Sequence, residues 1–528
     1  MPITVLKRFW IFAFMLFMVA CNQTPPEYVT LKEGKFECEG KPFFPLMLNY
    51  VVEFRYAENQ FFLSPTMAYE RENAYENADS LQTAHQLKGH FKLIREMGFN
   101  SVRICLDRLD SEKEHYYYPA SYRKLSLRDQ ADFITKAIHE LVQMANKESL
   151  KVMLLIKPPY DNDMLKQFTR KLLSEMSHEP GLFAYDFFNE PLYFDEKNDA
   201  SGARLVRPKN EAISIVREWK EMMDDLAPRQ LFTIGFSEPI EVFEWDPSML
   251  PVDFICFHTY HPLRIPNEIY WYSKYSGKPW MIGETSLPAD NKKVSYADQH
   301  ILFNDVMQRI LNCGGIGMGW WEFQEIPGAH FEAQFTGILN REGTTYTADK
   351  KHAILGSLKP VVAAIKKANE LKKTDNCACM SNYYNMLGYS NYLLETQVID
   401  SDTEEPIEGA VIRGWNDDWK IGLNTFSDVN GRLKISSNTP CVHFEVSAPG
   451  YQNKKFDHKT SYRHVPPFEK TMNEDLEYQE IHYKPFLDTL KQPRSLFKFN
   501  SKLFSKYKFT GRMPIITLKK LDTSGWEE

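Results

Sequence analysis

Two glutamates stand directly after apolar segments of the sequence. Glu190 follows Tyr185–Phe188 and is preceded by Asn189, and Glu284 follows Pro279–Gly283. A carboxyl group at the end of a buried strand is costly unless it is paired, hydrated or used in a reaction. Two such groups that face each other can serve as a proton donor and a nucleophile. The pair therefore predicts chemistry that is carried out by carboxyl groups.

Five further residues with polar or aromatic side chains lie within or just beyond similar apolar segments. They are Asn49, Arg103, His258, Tyr260 and Trp320. If the segments are parallel strands of one barrel, their C-terminal ends meet at one mouth. The set is therefore predicted to converge with the two glutamates, although its members are far apart in the sequence.

Eight continuously apolar segments alternate with amphipathic ones, as expected of parallel strands that are buried on both faces. Strands are predicted at residues 43–48, 100–106, 150–156, 182–188, 231–236, 253–258, 279–283 and 315–320. Helices are predicted at residues 80–98, 127–147, 163–176, 211–226, 296–312 and 352–373. This α/β pattern predicts a (β/α)8 TIM barrel. A doubly wound sheet is the alternative, but no glycine-rich phosphate loop follows the first strand.

The chain divides into five predicted parts, of which the barrel and a small all-β sandwich are the folded ones. The parts are a signal peptide with its lipidation site (1–21), a tether (22–36), the barrel (37–373), a linker (374–392) and the β-sandwich with an insertion (393–528). The sandwich is predicted because short alternating segments and turns replace helical periodicity after Lys373. Asn430-Gly431 is predicted to be a hairpin turn, and residues 513–521 are predicted to contain the closing strand.

The N-terminal segment has the pattern of an export signal. Lys7 and Arg8 precede Phe9–Ala20, an apolar stretch that is too short to span a bilayer comfortably. Met18–Cys21 then resembles a bacterial lipoprotein box. The resemblance implies lipidation of Cys21 and a protein anchored to a membrane of the bacterial cell envelope, facing the periplasm or the cell surface. A plain secretory signal or an N-terminal anchor is the alternative.

Charge and cysteine usage limit the possible partners. The net charge is −7 and no long basic run follows the first residues, which argues against binding to nucleic acid. Cys105, Cys256 and Cys313 lie in or beside apolar segments and are expected to be buried free thiols. Cys377 and Cys379 form the only close pair, but no further ligands with suitable spacing are apparent, so no metal site is predicted.

The motifs at the strand ends resemble those of a known group of enzymes. Asn189-Glu190-Pro191 after the fourth strand and Glu284 after the seventh resemble the clan of retaining (β/α)8 glycoside hydrolases with two catalytic glutamates on these strands. Residues 40–50, 93–106 and 258–262 resemble the first, second and sixth strands of its cellulase-like, glycoside hydrolase family 5-like members. The resemblance implies cleavage of β-linked oligo- or polysaccharides without a cofactor.

The resemblance also implies a role for each residue of the set. Glu190 takes the acid/base role and Glu284 that of the nucleophile, while Arg103 keeps Glu284 ionised and Tyr260 orients it. Asn189 is expected to bind the sugar 2-hydroxyl. The remaining substrate-binding residues are expected to be Asn49, His258 and Trp320, with His261, Trp271, Tyr272 and Glu322 as further possibilities. Trp321 points to the other side of a regular strand from Trp320 and is expected in the core.

Several alternatives remain open at this point. Arg103 could form a structural ion pair inside the barrel, and His258 could be a core histidine. The family often has a histidine near the end of the third strand, but this chain has Ile156–Tyr160 there, which leaves the sugar open. A catalytically inactive, glycan-binding surface lipoprotein is the main alternative function, and an adhesion or scaffold protein is a third.

The C-terminal part carries a second resemblance. Pro406–Ile412, the turn Asp428–Gly431 and Gly450-Tyr451 resemble the recurring motifs of the carboxypeptidase regulatory-like, transthyretin-like domain. The resemblance implies a β-sandwich that either packs against the barrel or binds a partner.

Overall fold

The computed structural model describes residues 28–57, 60–66, 69, 78–106, 127–159, 163–194, 206–260, 262, 264–292, 294–327, 334–378, 392–419, 422–437, 439–464 and 509–523. The predicted signal peptide with Cys21, and also His261 and Cys379, lie outside these residues. In the described parts of the chain, no helix is long and apolar enough to cross a membrane.

A small antiparallel sheet closes the barrel at the end where its strands begin. Its strands are β1 (Val29–Lys32), β2 (Lys35–Cys38) and β3 (Lys41–Pro42). Phe36 packs edge-on against Phe183 and Phe254, with ring centroids 6.0 and 5.1 Å away, and both partners stand near the start of a barrel strand. Because Val29 already belongs to this sheet, the fold begins inside the segment 22–36 that is predicted to be a tether.

Nine strands follow, and eight of them form a closed parallel barrel. They are β4 (Leu46–Ala57), β5 (Gln60–Pro65), β6 (Ser101–Leu106), β7 (Lys151–Leu155), β8 (Leu182–Asn189), β9 (Leu231–Phe236), β10 (Ile255–His258), β11 (Trp280–Glu284) and β12 (Met318–Trp320). The barrel closes because β12 pairs in parallel with β4. Each barrel strand overlaps one of the eight predicted segments, so the TIM-barrel prediction is confirmed. The first strand continues beyond the barrel to Ala57 and forms an antiparallel hairpin with β5.

Helices pack around the barrel, and they depart from the prediction in several places. They are α1 (Ser80–Glu96), α2 (Leu127–Lys147), α3 (Asp163–Met176), α4 (Pro191–Phe194), α5 (Lys209–Leu226), α6 (Ile265–Tyr275), α7 (Tyr296–Cys313) and α8 (Val361–Ile365), with 3-10 helices at Pro239–Phe243 and Ala368–Glu370. Helix α6, which is rich in aromatic residues, was not predicted. The long helix predicted at 352–373 is wrong, since β13 (Thr344–Tyr346) pairs with β14 (Ala353–Leu355) and Pro360 allows α8 only after it.

The C-terminal part is a β-sandwich, as predicted. Its strands are β15 (Tyr392–Asp400), β16 (Val411–Trp415), β17 (Gly422–Phe426), β18 (Arg432–Ser437), β19 (His443–Ser447), β20 (Lys454–Asp457), β21 (Arg463–His464), β22 (Phe509–Arg512) and β23 (Ile516–Leu518). One sheet has the order β18-β15-β22-β21 with β23 beside β15, and the other has the order β17-β16-β19-β20. Side chains such as Leu394, Ile412 and Phe444 form the core of this β domain.

The turn at Asn430-Gly431 is present but does not close a hairpin. Gly431 has φ +68°, and the Asp428 carboxylate accepts the backbone N–H groups of Asn430 and Arg432 at 2.9 Å. The turn leads from β17 to β18, which belong to different sheets. The hairpin prediction is therefore wrong, because the sequence shows the turn but not the sheet to which the following strand belongs.

A disulfide bond ties the end of the barrel to the segment that follows it. Cys313, at the end of α7, is bonded to Cys377, and 64 residues separate them in sequence. The expectation of a free thiol at Cys313 is therefore wrong, whereas Cys105 and Cys256 are buried and free, as predicted.

Candidate active site

The two glutamates meet at the mouth of the barrel. Glu190 directly follows β8, and Glu284 is the last residue of β11. One carboxylate oxygen of each, together with a ring nitrogen of His258, lie within 4.8 Å of one another. The strand order places β8 and β11 three strands apart. The two side chains therefore approach each other from separate parts of the barrel wall.

The backbone at Glu190 adopts an unusual conformation that is held from two sides. Glu190 has φ +50°, in the left-handed region that side chains other than glycine rarely adopt. Its N–H donates to the Gly235 carbonyl at 2.6 Å, and the N–H of Leu192 donates to the buried Glu241 carboxylate at 3.2 Å. Strained residues of this kind persist only where the surroundings fix them, and they occur preferentially at functional sites.

The surroundings of Glu190 favour its protonated form. Its Oε1 lies 2.7 Å from Nδ1 of His258, and its side chain is 18% exposed. Burial raises the pKa of Glu190 to about 7, with the charge of Arg103 opposing the rise and those of Glu238 and Asp186 adding to it. Burial also lowers the pKa of His258 to about 4, so the imidazole is neutral at pH 7. A neutral imidazole nitrogen can accept the O–H of the acid or donate to its carboxylate, so this contact suits both protonation states of Glu190.

The carboxylate of Glu284 has a donor on each oxygen. Arg103 Nη1 donates to Oε1, and the Tyr260 hydroxyl donates to Oε2. Burial and the nearby Glu284 raise the pKa of Tyr260, so its hydroxyl keeps its proton and remains a donor. The site thus contains one carboxyl group in an ion pair and one whose burial favours the protonated form.

Arg103 connects several residues of the site. Its guanidinium is fully buried and donates to Asp186 Oδ2 from Nε at 2.9 Å and from Nη2 at 2.7 Å. It also donates to the side-chain oxygen of Asn189 at 2.8 Å and to that of Asn49 at 3.0 Å. Arg103 therefore has two roles. It forms a structural ion pair with Asp186 inside the barrel, and it positions Glu284 and Asn189 at the site.

Asp186 is a residue of the site that the sequence analysis missed. It is fully buried, and its second oxygen accepts the N–H of Gly235 at 2.8 Å. It therefore fixes Arg103 and also the strand that supports the Glu190 backbone. The signal was present in the sequence, because Asp186 is a carboxylate inside the otherwise apolar segment YDFF, four residues before Glu190.

Several of the predicted substrate-binding residues lie behind the mouth rather than in it. Trp320 is 1% exposed and packs against Phe303 of α7, with ring centroids 5.8 Å apart. Asn49 is fully buried and donates to the carbonyls of Gly283 and Trp320 at 2.9 and 3.1 Å. Both side chains are thus enclosed by the barrel and its helices, and the contact of Trp320 and Asn49 with a sugar stays a prediction.

Arg103 and His258 are likewise buried, and each of them contacts one of the two glutamates. Trp271 and Tyr272 belong to the buried face of α6, and Glu322 is buried with the Tyr69 hydroxyl bonded to it at 2.7 Å. Most of the predicted cleft residues are therefore buried behind the residues that line the mouth.

Four residues at the mouth are partly exposed and can reach a ligand. They are Asn189, Glu190, Tyr260 and Trp321. The side-chain oxygen of Asn189 is occupied by Arg103, which leaves its amide N–H groups directed to other acceptors. Trp321, rather than Trp320, supplies the aromatic surface at this end of β12.

Two groups of side chains in the described residues have spacings that would suit a metal ion. They are Asp186, Cys256 and His258, and Glu190, His258 and Glu284. The guanidinium of Arg103 is bonded to a carboxylate of each group. Its positive charge lies between these carboxylates and opposes the binding of a cation there.

Comparison with known proteins gives a likeness of fold. No protein-family model matches the chain, and no curated protein matches it. Similar solved structures include GH5_18 from Streptomyces cattleya in complex with GlcNAc, with 12% identity over 68% of this chain and 85% of that chain and a TM-score of 0.45. A glycoside hydrolase family 5 mannosidase from Rhizomucor miehei has 12% identity over 65% of this chain and 97% of that chain, with a TM-score of 0.42.

The endo-β-1,4-mannanase from Thermotoga petrophila is a third similar structure. It has 15% identity over 80% of this chain and 98% of that chain, with a TM-score of 0.39. At such identities and TM-scores these likenesses do not bear on activity. The closed strand order of the barrel itself establishes the fold.

Proposed function

We propose that this chain is a retaining glycoside hydrolase that cleaves β-linked glycans, with Glu190 as acid/base and Glu284 as nucleophile. The observation that carries the proposal is that oxygens of the two carboxyl groups lie within 4.8 Å of each other in different surroundings. Glu284 is in an ion pair, whereas burial raises the pKa of Glu190. Retaining enzymes need carboxyl groups about 5–5.5 Å apart, whereas inverting enzymes need about 6.5–9.5 Å to admit a water between them. The short separation supports retention.

In the first step, a carboxylate oxygen of Glu284 attacks the anomeric carbon of the sugar. The glycosidic C–O bond breaks, and Glu190 transfers its proton to the departing oxygen. Arg103 and Tyr260 hold Glu284 in a fixed orientation, so little reorganisation is needed before the attack. The products of this step are the free leaving group, a glycosyl ester on Glu284 and an ionised Glu190.

In the second step, Glu190 acts as a base. It takes a proton from a water that attacks the anomeric carbon from the side of the departed group, and the ester bond to Glu284 breaks. Both glutamates return to their starting states, and the sugar leaves with its original anomeric configuration. The bond to neutral His258 suits this cycle, because Nδ1 can pair with either form of Glu190.

The partly exposed residues at the mouth are the proposed contacts to the sugar. The amide of Asn189 donates to the 2-hydroxyl, a bond that strengthens in the transition state of glycosidases. Arg103 fixes the direction of this amide by holding its oxygen. Trp321 provides an apolar face for the sugar ring. The β-linkage of the substrate follows from the resemblance of the strand-end motifs to the clan of retaining hydrolases.

The proposed location is a membrane of the bacterial cell envelope, with Cys21 as the lipid-bearing residue. Support comes from the export-signal pattern before Cys21. The Cys313–Cys377 disulfide adds to it, since such bonds persist mainly outside the reducing cytosol. Metabolic labelling with a palmitate analogue tests this point, and a Cys21→Ser variant that is still labelled would contradict it.

The proposed activity is tested by incubating the protein from Pro25 onward with β-linked polysaccharides and aryl β-glycosides. Product anomers are followed by NMR from the first minutes. Initial release of the β-anomer is expected. Initial release of the α-anomer would refute retention, and binding of glycans without turnover would favour a catalytically inactive, glycan-binding lipoprotein.

A further inference from the structure

The 3-10 helix Pro239–Phe243 lies between the candidate acid/base and the β domain. On its barrel side, the buried Glu241 accepts the N–H of Leu192 at 3.2 Å and the hydroxyl of Ser237 at 2.8 Å. Leu192 is two residues beyond Glu190. The 3-10 helix therefore holds the turn that carries the strained Glu190 backbone.

The other side of this 3-10 helix is covered by the β domain. The Asn453 amide donates to the carbonyl of Phe243, and the Ser447 hydroxyl donates to that of Val242 at 3.4 Å. The guanidinium of Arg413 lies over the Phe243 ring, 4.4 Å from its centroid. These contacts satisfy the carbonyls at the end of the 3-10 helix, which would otherwise lack partners within it.

Glu238, directly before the 3-10 helix, is held by both domains. It forms an ion pair with Arg264 of the barrel, and its Oε2 accepts the amide of Asn424 from the β domain at 3.1 Å. The negative charge of Glu238 is among the causes that raise the pKa of Glu190. A shift of Glu238 would therefore change the electrostatic surroundings of Glu190 as well as the backbone next to it.

The two domains are joined by a buried polar interface. Lys209 is 3% exposed, and its ammonium donates to Asp246 and to the carbonyl of Ala448 at 2.8 Å each. The N–H of Gly450 donates to the same Asp246 oxygen at 2.9 Å. Removing one partner of a buried pair of this kind is strongly destabilising, because it leaves an uncompensated charge inside the protein. The β domain is therefore fixed to the barrel next to the 3-10 helix.

We propose that the β domain supports the active site. It keeps the Glu190 turn in place through the 3-10 helix Pro239–Phe243. The inference rests on the proposed function for the role of Glu190, but the mechanical coupling stands on the contacts alone. The charged and titratable groups that face Glu190 include Arg103, Asp186, Glu238, His258, Tyr260 and Glu284. Of these, Glu238 is the one bonded to the β domain.

The test compares two sets of substitutions at the domain interface. Asn424→Ala and Asn453→Ala, combined, remove the β-domain amides bonded to Glu238 and to the 3-10 helix. The control Lys274→Ala breaks an ion pair between α6 and Glu408 of the β domain without contacting the 3-10 helix. Both sets loosen the interface, but the first alone acts on the proposed connection. Asn424→Ala alone serves if the double variant does not fold.

Hydrogen exchange followed by mass spectrometry measures the coupling without any substrate. The exchange rate of peptides that contain Glu190–Phe194 is expected to rise about tenfold in the double variant and to stay unchanged in Lys274→Ala. Peptides from α1 provide the internal reference for an intact barrel. Equal exchange of the Glu190 turn in the double variant and the wild type would overturn the proposal, whatever the activity.

Leaving-group dependence distinguishes a displaced acid/base from general damage. With the sugar that the wild type cleaves, kcat/KM for the phenyl β-glycoside is expected to fall about tenfold in the double variant, because a phenol needs the proton of Glu190. For the 2,4-dinitrophenyl glycoside, whose leaving group needs little acid assistance, a fall of less than about twofold is expected. Equal losses on both substrates would contradict the proposal.

The two measurements also separate this inference from the proposed function. A wild type that cleaves no glycoside defeats the proposed function, and the exchange result alone then decides the coupling. An active wild type with unchanged exchange in the double variant defeats the coupling and leaves the proposed function standing.

Discussion

Replacing Glu190 with glutamine should stabilise the protein above neutral pH. The pKa of Glu190 is raised from its usual 4.5 to about 7 in the folded state, mainly because the group is buried. The folded protein therefore binds this proton more tightly than the unfolded chain. The resulting stabilisation is fully present below pH 4.5 and is lost as the pH rises to 7. Glutamine has nearly the same shape but no charge, so it avoids this loss.

The size of the effect follows from the difference between the two pKa values. A difference of 7 − 4.5 = 2.5 corresponds to about 3 kcal/mol, of which about 2.5 kcal/mol falls between pH 5 and pH 8. The stability advantage of Glu190→Gln over the wild type should grow by that amount across this range. The side chain is 18% exposed, so solvent screening reduces the figure only in part.

Urea unfolding at pH 5 and pH 8 measures the difference. The exposed Glu218 of α5, changed to glutamine, is the matched control, since its substitution should have the same small effect at both pH values. The reasoning would be refuted if the stability difference between Glu190→Gln and the wild type were the same at pH 5 and pH 8. Activity should be lost on substrates with poor leaving groups, so the variant would exchange function for stability.

Further outcomes are expected for the pH dependence, for substitutions at the glutamates and Tyr260, and for the disulfide bond. The basic limb of the kcat/KM profile should have its midpoint near pH 7, where Glu190 loses its proton, and Glu190→Ala should abolish this limb while sparing substrates with good leaving groups. Glu284→Ala should abolish turnover, and azide should restore it. Tyr260→Phe should lower kcat/KM about 10–100-fold, because it removes one hydrogen-bond donor to Glu284, while the circular dichroism spectrum stays unchanged. Cys313→Ser should lower the unfolding free energy by about 4 kcal/mol, because the bond to Cys377 closes a loop of 64 residues, and a reductant should lower the melting temperature of the wild type but not of the variant.

The barrel could be predicted from the sequence because each of its strands is a short, continuously apolar segment. A strand such as Leu182–Asn189 is buried on both faces, so its composition alone identifies it. Helix α6 was missed because its aromatic residues pack against the barrel on one side and contact the β domain on the other. Trp271, for example, donates to the Gly409 carbonyl of the β domain at 2.9 Å, and this second contact blurs the helical pattern.

Proximity of Glu190 and Glu284 could be predicted from strand-end positions, but the direction of side chains within a strand could not. Trp320 and Trp321 are adjacent in sequence, and Trp320 is the buried one while Trp321 is partly exposed. The residues of β12 before them do not show which face of the strand points inward. Asp186 was missed for a related reason. A carboxylate within a buried strand is explained only by its partner, and Arg103 is 83 residues away.

The small β1–β3 sheet lies at the end of the molecule to which a lipid on Cys21 would attach. It closes the barrel on the side opposite the mouth, and Tyr28, just before β1, donates there to the carbonyl of Ser177 at 3.4 Å. If Cys21 carries the lipid, eight Cα–Cα steps (29 − 21) separate it from Val29, which span at most about 28 Å. The closed end of the barrel is then kept next to the bilayer. Under that condition Glu190 and Glu284 would face away from the bilayer, and the proposed polymeric substrate would not have to approach the lipid surface to enter the mouth.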